Sequence, residues 1–201
     1  DGCLYTTPTN KGETQINIEQ KECMPTSQAQ AQPWTHASQN QAIMLCAKAG
    51  KRLPTAKEWY AAAMGTPDSP TQCSVGRIGQ NAPDPTGSND QCLSFVGTYD
   101  MVGNVWEWVY ETVDAQVYKE RTVPNEGYVH AVDLDGIAIE TQPKVPNEFY
   151  GEDYFWSQQD GVMGMFRGGF WGLEERVGVY ATHVAMSPDF SGVGVGFRCV
   201  K

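Results

Sequence analysis

Apolar residues return at three-residue steps in SQNQAIMLCAKAG, where Ile43, Cys46 and Ala49 share one helical face. Ser38 supplies a side chain suited to capping the start of that helix, and Gly50 ends it. In RLPTAKEWYAAAMG, Pro54 keeps the approach extended, Thr55 and Glu58 have capping-box spacing, and Gly65 closes the run. Two helices are therefore predicted. Residues 1–37 are polar, and QINIEQ is their one alternating stretch, which predicts a short strand among loops. The stretch 66–98 is rich in turn residues, and Pro124, Pro143 and Pro146 interrupt 111–160, which reads as irregular. The last forty or so residues alternate and carry many glycines, the pattern of a meander of short strands. No internal repeat is visible.

Three motifs stand out against this background. YDMVGNVWEWVYE packs aromatic residues around two acids, and RGGFW and GVGFRCV bracket the C-terminal segment 167–201. Gly168 and Gly169 permit a close backbone approach that a side chain would block. Trp106, Trp108 and Trp171 each offer a large apolar surface and one N–H in need of a partner. These are frame residues. Between the two ends of the tail, Leu173, Glu174, Glu175, Arg176, His183, Met186 and Phe190 follow no structural pattern.

Bulk properties narrow the function. A chain of 201 residues suits one domain, 1–201. Its 24 acidic against 14 basic residues give a net charge of −10, which repels phosphate backbones and argues against nucleic acid as a partner. No apolar run approaches the ~20 residues of a membrane span, so no direct membrane insertion is expected. Asp1-Gly2-Cys3 has no signal-peptide character, so an export signal is expected to be removed or to lie elsewhere.

The six cysteines form no C-x-x-C pair. Cys73 with Cys92, and Cys3 with Cys23, are spaced to staple local loops. Cys46 and Cys199 sit among apolar neighbours and are open to either a bridge or a buried thiol.

GKRLPTAKEWYAAA, YDMVGNVWEWV, FRGGFW and GVGFRCV stand in the order and approximate spacing of the formylglycine-generating-enzyme/sulfatase-modifying-factor family, which the chain resembles from about Gly50 to its end. Residues 1–37 match poorly. The resemblance implies an α+β, C-type lectin-like fold: two helices packed on short antiparallel sheets with extensive loops. It also implies a structural calcium ion held by Asp100, the carbonyls of Gly103 and Val105, and Glu107, an oxygen-only set suited to a hard cation. The competing reading has Asp100 capping a turn and Glu107 paired with Arg167 or Arg198.

Active members of that family use two cysteines after the Gly-Gly motif. The matching positions here are Leu173 and Gly178, which carry no sulfur, so neither copper-thiolate binding nor disulfide exchange is expected there. His36, His130 and His183 lie on dissimilar segments with no ligand spacing. A His183–Glu174 acid/base pair is conceivable, but an exposed, uncommitted histidine fits better. The expectation is a non-enzyme with no catalytic cofactor.

The tail is similar to that of a second group with this fold, the variable proteins of diversity-generating retroelements. In that resemblance GGFW, VGVYA, SP and VGFRC fall on scaffold positions. Gly172, Leu173, Arg176, His183, Ala185, Met186, Phe190, Gly192, Val193 and Gly194 fall on positions open to diversification. Phe170 replaces a usual serine, a departure expected to matter little. The implied role is receptor recognition at a virion or cell surface, with a protein or carbohydrate ligand on another cell or particle. The alternative is a sulfatase-modifying oxidase or an inactive relative.

Overall fold

A computed structural model describes residues 2–173 and 176–201. Both expected helices form. α2 (Gln39–Lys48) starts at Ser38, whose side chain accepts from the Gln41 N–H, and α3 (Ala56–Ala63) starts at Thr55 with the Thr55–Glu58 box closed in both directions.

The N-terminal segment departs from expectation. The first five residues of QINIEQ lie within a helix, α1 (Lys11–Glu19), not a strand, and Gln20 caps its end. Capping overrides the short alternation: Asn10 accepts from the Glu13 N–H, and the Glu13 carboxylate reaches back to the Thr9 N–H at 2.7 Å. The buried positions, Thr14, Asn17 and Ile18, have helical spacing, and most of them are polar. That polarity hides the face from a hydrophobic-pattern search. The ammonium of Lys48 caps the end of α1, donating to the carbonyl of Ile18 at 2.7 Å.

The segment 111–160 also departs from expectation, because it carries much of the sheet. Strands form at Trp106–Asp114 (β1), Val117–Tyr118 (β2), Arg121–Thr122 (β3), Gly127–Val132 (β4), Ala138–Gln142 (β5) and Tyr154–Ser157 (β6). The prolines sit between strands, so they punctuate the sheet without breaking it. The C-terminal part adds Val162–Arg167 (β7), Thr182–Met186 (β8) and Val195–Phe197 (β9).

These strands form one mixed sheet in the order β3-β2-β1-β7-β8-β6-β4-β5, with β9 pairing β1 off that path. Most pairs are antiparallel. The pairs β6–β8 and β1–β9 are parallel, so the architecture is α+β with a mixed sheet.

Alternation along β7 divides the core. Met163 and Met165 face α3, Trp59, Val109 and Phe155, whereas Phe166 faces Trp106, Trp108 and the Ala42 and Cys46 side chains of α2. The Trp108 indole N–H meets its need by donating to the carbonyl of Ala37 at 2.9 Å. All six cysteines are bridged: Cys3–Cys23, Cys73–Cys92 and Cys46–Cys199. The last pair, left open by its apolar neighbours, ties α2 to the residue two beyond β9.

Candidate ligand-binding face

The frame around the tail is built from buried charge. Glu107 leaves β1 toward α3, where its Oε2 accepts from the Trp59 indole N–H at 2.7 Å and from Arg198 Nε at 2.6 Å. Oε1 accepts from Arg198 Nη2. This bidentate pair fastens the GFRC end of the tail to the middle of the chain.

Arg167, fully buried, donates to the carbonyls of Ala181, Asp135, Gly136 and Val179 and stacks 4.9 Å from the Trp59 ring. It thereby clamps the tail to the loop before β5. Gly168 and Gly169 follow with φ of 90° and 86°. A side chain at Gly168 would put its first carbon 2.5 Å from the Met101 carbonyl, and one at Gly169 would strike Val177 at 2.4 Å. Arg167, Gly168 and Gly169 are thus fixed by close contacts.

This frame answers the calcium expectation. Both oxygens of Glu107 are neutralised by Arg198, and the backbone of Asp100 has φ of 56°, its Oδ2 accepting from the Gly87 N–H at 2.7 Å. Of the side-chain oxygens in the expected set, Asp100 Oδ1 is the one buried without a hydrogen bond. Asp100, Gly103, Val105 and Glu107 therefore do not fit a hard cation in this arrangement, which calls for free carboxylates. The guanidinium of Arg198 supplies the positive charge.

Within the frame, Leu173, His183 and Phe190 gather on the Trp106–Phe166 face of the sheet. His183 on β8 lies opposite Phe166, their rings 4.5 Å apart and 20° from parallel, and Trp156 on β6 stacks on its other side at 5.8 Å. Burial pushes its imidazole down to about 4, so it is neutral at physiological pH and is not the exposed histidine the sequence suggested. Its conceivable partner Glu174 lies outside the described residues.

Between His183 and Met186 the register of β8 slips against β7, so that Met186 lies opposite Gly164. Gly164 has the same parity as Phe166. Residues three apart on one strand thus face the same side.

Leu173 and Phe190 pack half-buried against the same cluster, together with Phe170. Exposure is greatest at Gly172, Arg176, Met186 and Val193, the last two at 38% and 49%. Ala185 and Gly192 are half-buried. Gly194 is buried, which corrects its reading as a freely variable position. The reason is Phe170, whose ring lies 2.7 Å from where a first side-chain carbon would stand at Gly194 and also at Gly172. The serine-to-phenylalanine departure therefore matters: the ring fills the space above two candidate positions.

Sequence reasoning missed the contribution of 111–160. Arg176 holds its guanidinium 4.9 Å from the Tyr154 ring and 5.3 Å from that of Tyr128. Tyr154 contacts Trp156, and Trp156 contacts His183. Aromatic residues of β4 and β6 thus run continuously from Arg176 to His183. The density of aromatic residues in EFYGEDYFWS is the available signal.

At the two family cysteine positions, Leu173 is a half-buried apolar residue. Gly178 is pressed against Asp153, with 2.4 Å between Asp153 Oδ1 and the place of a first side-chain carbon. A cysteine at 178 would require Asp153 to move.

The model of the sulfatase-modifying factor enzyme 1-like domain matches residues 7–201. The chain belongs to this family. A bovine (Bos taurus) relative named inactive C-alpha-formylglycine-generating enzyme 2 is 31% identical over 120 residues, covering 50% of this chain and 40% of the relative. The chain thus spans well under half of that relative's length.

Among solved structures, the Treponema denticola variable protein 1 superposes with a TM-score of 0.54 at 16% identity, covering 96% of this chain and 82% of that one. The Major Tropism Determinant P3c variant gives 0.52 at 18% identity, covering 83% and 38%. The fold is that of C-type lectin-like variable proteins.

Proposed function

We propose that this family member is a non-catalytic recognition protein that presents diversifiable tail side chains on a rigid C-type lectin-like frame. The observation that carries this reading is the contrast within one short segment. Arg167, Arg198 and the Gly168–Gly169 pair are fully engaged, while Met186, Val193 and Arg176 project from the same segment beside a half-buried aromatic face. Rigid presentation reduces the ordering cost of binding, and aromatic residues with arginine are the usual affinity anchors.

The pairing of the cysteines in disulfides, with Leu173 and Gly178 at the cysteine positions of the active family members, supports the same reading. The names of the structural relatives, a tropism determinant and a variable protein, fit a receptor-binding role. Three disulfides suit display outside a reducing cytoplasm, on a virion or cell surface. The partner is then a protein or carbohydrate on another cell or particle.

The test is the gene's own 3′ end. A near-repeat beside a reverse-transcriptase gene, differing at the codons of the exposed tail positions, is expected; sibling chains identical at those positions argue for a fixed function. The oxidase reading predicts copper uptake and oxygen-dependent conversion of a cysteine-bearing sulfatase peptide, and neither is expected here.

A further inference from the structure

Tyr128 on β4 and Tyr154 on β6 lie opposite each other in the antiparallel pair, their rings 5.1 Å apart and 84° from parallel. Two nearly perpendicular rings make a corner, and each ring carries negative charge on its face. The guanidinium of Arg176 occupies that corner, 4.9 Å from the Tyr154 ring and 5.3 Å from that of Tyr128, within cation–π range of both.

The corner and its occupant come from different parts of the chain. Tyr128 and Tyr154 lie outside 167–201, are buried with Arg176 in place, and are held by the sheet. Arg176 belongs to the tail, is exposed, and has a left-handed backbone with φ of 71°, which favours glycine. Its carbonyl accepts from the Tyr154 N–H at 3.3 Å, a backbone contact that keeps position 176 beside the corner whatever side chain stands there.

The surroundings favour positive charge. Glu126 Oε1 accepts from the Tyr154 hydroxyl at 3.5 Å, and the chain carries a net charge of −10. Trp156, 4.9 Å from the Tyr154 ring, continues the aromatic surface toward His183, so a partner lying on that face reaches the corner.

We propose that Tyr128 and Tyr154 form a binding corner for the guanidinium of a partner's arginine side chain, with Arg176 as its intramolecular occupant. Arg176 shows which group the corner takes and, by filling it, competes with the same group from outside. A guanidinium is planar, stacks on aromatic faces and is more weakly hydrated than an ammonium, so arginine is preferred over lysine. An exposed cation–π contact is weak enough to be exchanged. The corner is supplied by β4 and β6, so it does not depend on the tail being diversified.

The test is protein-observed NMR with Nα-acetyl-arginine amide as the probe, at constant ionic strength. Arg176→Gly, which suits the left-handed backbone and empties the corner, should bind the probe about tenfold more tightly than wild type. The shifts should centre on the ring protons of Tyr128 and Tyr154. Arg176→Met removes the same charge but refills the corner, so it should bind no better than wild type. Nα-acetyl-lysine amide should bind the Arg176→Gly protein more weakly than the arginine probe. Equal affinity of Arg176→Gly and wild type, an equal gain with Arg176→Met, shifts confined to other residues, or lysine binding as tight as arginine would each overturn the assignment.

Discussion

The imidazole of His183 lies flat against the ring of Phe166 across the β7–β8 pair, at 4.5 Å and 20°. This stack makes a nominally variable residue part of the support of the face, and it makes stability depend on pH. With the folded imidazole held near 4 by burial and the unfolded one near its ordinary 6.5, the unfolded chain takes up the proton first. The contribution is fully present above pH 6.5 and is lost as pH falls toward 4, by at most about 3 kcal/mol. His183→Phe should retain the stack and flatten that part of the curve. Melting temperatures of both proteins from pH 7 to 4 measure the difference, and parallel curves would contradict the assignment.

Tolerance within the tail should follow exposure, whichever positions the resemblance named. Substitutions at Met186 and Val193 should stay within about 0.5 kcal/mol. Gly194→Ala should cost about 1–3 kcal/mol, because its methyl group meets the Phe170 ring. Pairing it with Phe170→Ser should recover much of that loss. Urea midpoints of the single and double variants decide the matter; a Gly194→Ala protein as stable as wild type would remove Phe170 as the constraint.

The Glu107–Arg198 pair should outweigh any other single side-chain contact at the end of the tail. Glu107 has 7% of its side chain exposed and Arg198 25%, so this pair is only partly shielded from water. Glu107→Gln keeps the shape and removes the charge that balances the guanidinium, for an expected loss of about 3 kcal/mol. Thermal melting checks it, and an unchanged midpoint would show that the pair is dispensable.

What could be read from the chain depended on whether the signal was local. Ser38 and Thr55 mark α2 and α3 because capping is settled within four residues. α1 was misread because its buried residues are mostly polar: Asn17 earns its place by donating to the Tyr5 carbonyl and accepting from the Tyr5 N–H, a contact no periodicity reveals. The fate of Glu107 was open for a similar reason, since a carboxylate spaced for calcium is also spaced for a guanidinium 91 positions away. The burial of His183 depends on Trp156 arriving from β6 by a parallel pairing, and the tail alone contains nothing to indicate it.

The bridge between Cys46 and Cys199 spans 153 residues, against 19 for Cys73–Cys92 and 20 for Cys3–Cys23. If each acts mainly by restricting the unfolded chain, the long bridge contributes about 5 kcal/mol and the short ones about 3 each. Its position adds a second consequence. β9 pairs with only three residues of β1, in parallel, and Cys199 lies two residues beyond it, so opening the bridge frees the end that Arg198 must hold against Glu107. Replacing Cys46 and Cys199 together by alanine should therefore lower the melting temperature more than either of the other paired replacements. It should also make the Glu107→Gln change less costly, because the pair is then already loosened. Melting curves of the three double-alanine proteins, with and without Glu107→Gln, test both points. Equal losses for all three bridges would refute the loop-length account, and strict additivity with Glu107→Gln would separate the bridge from the hub.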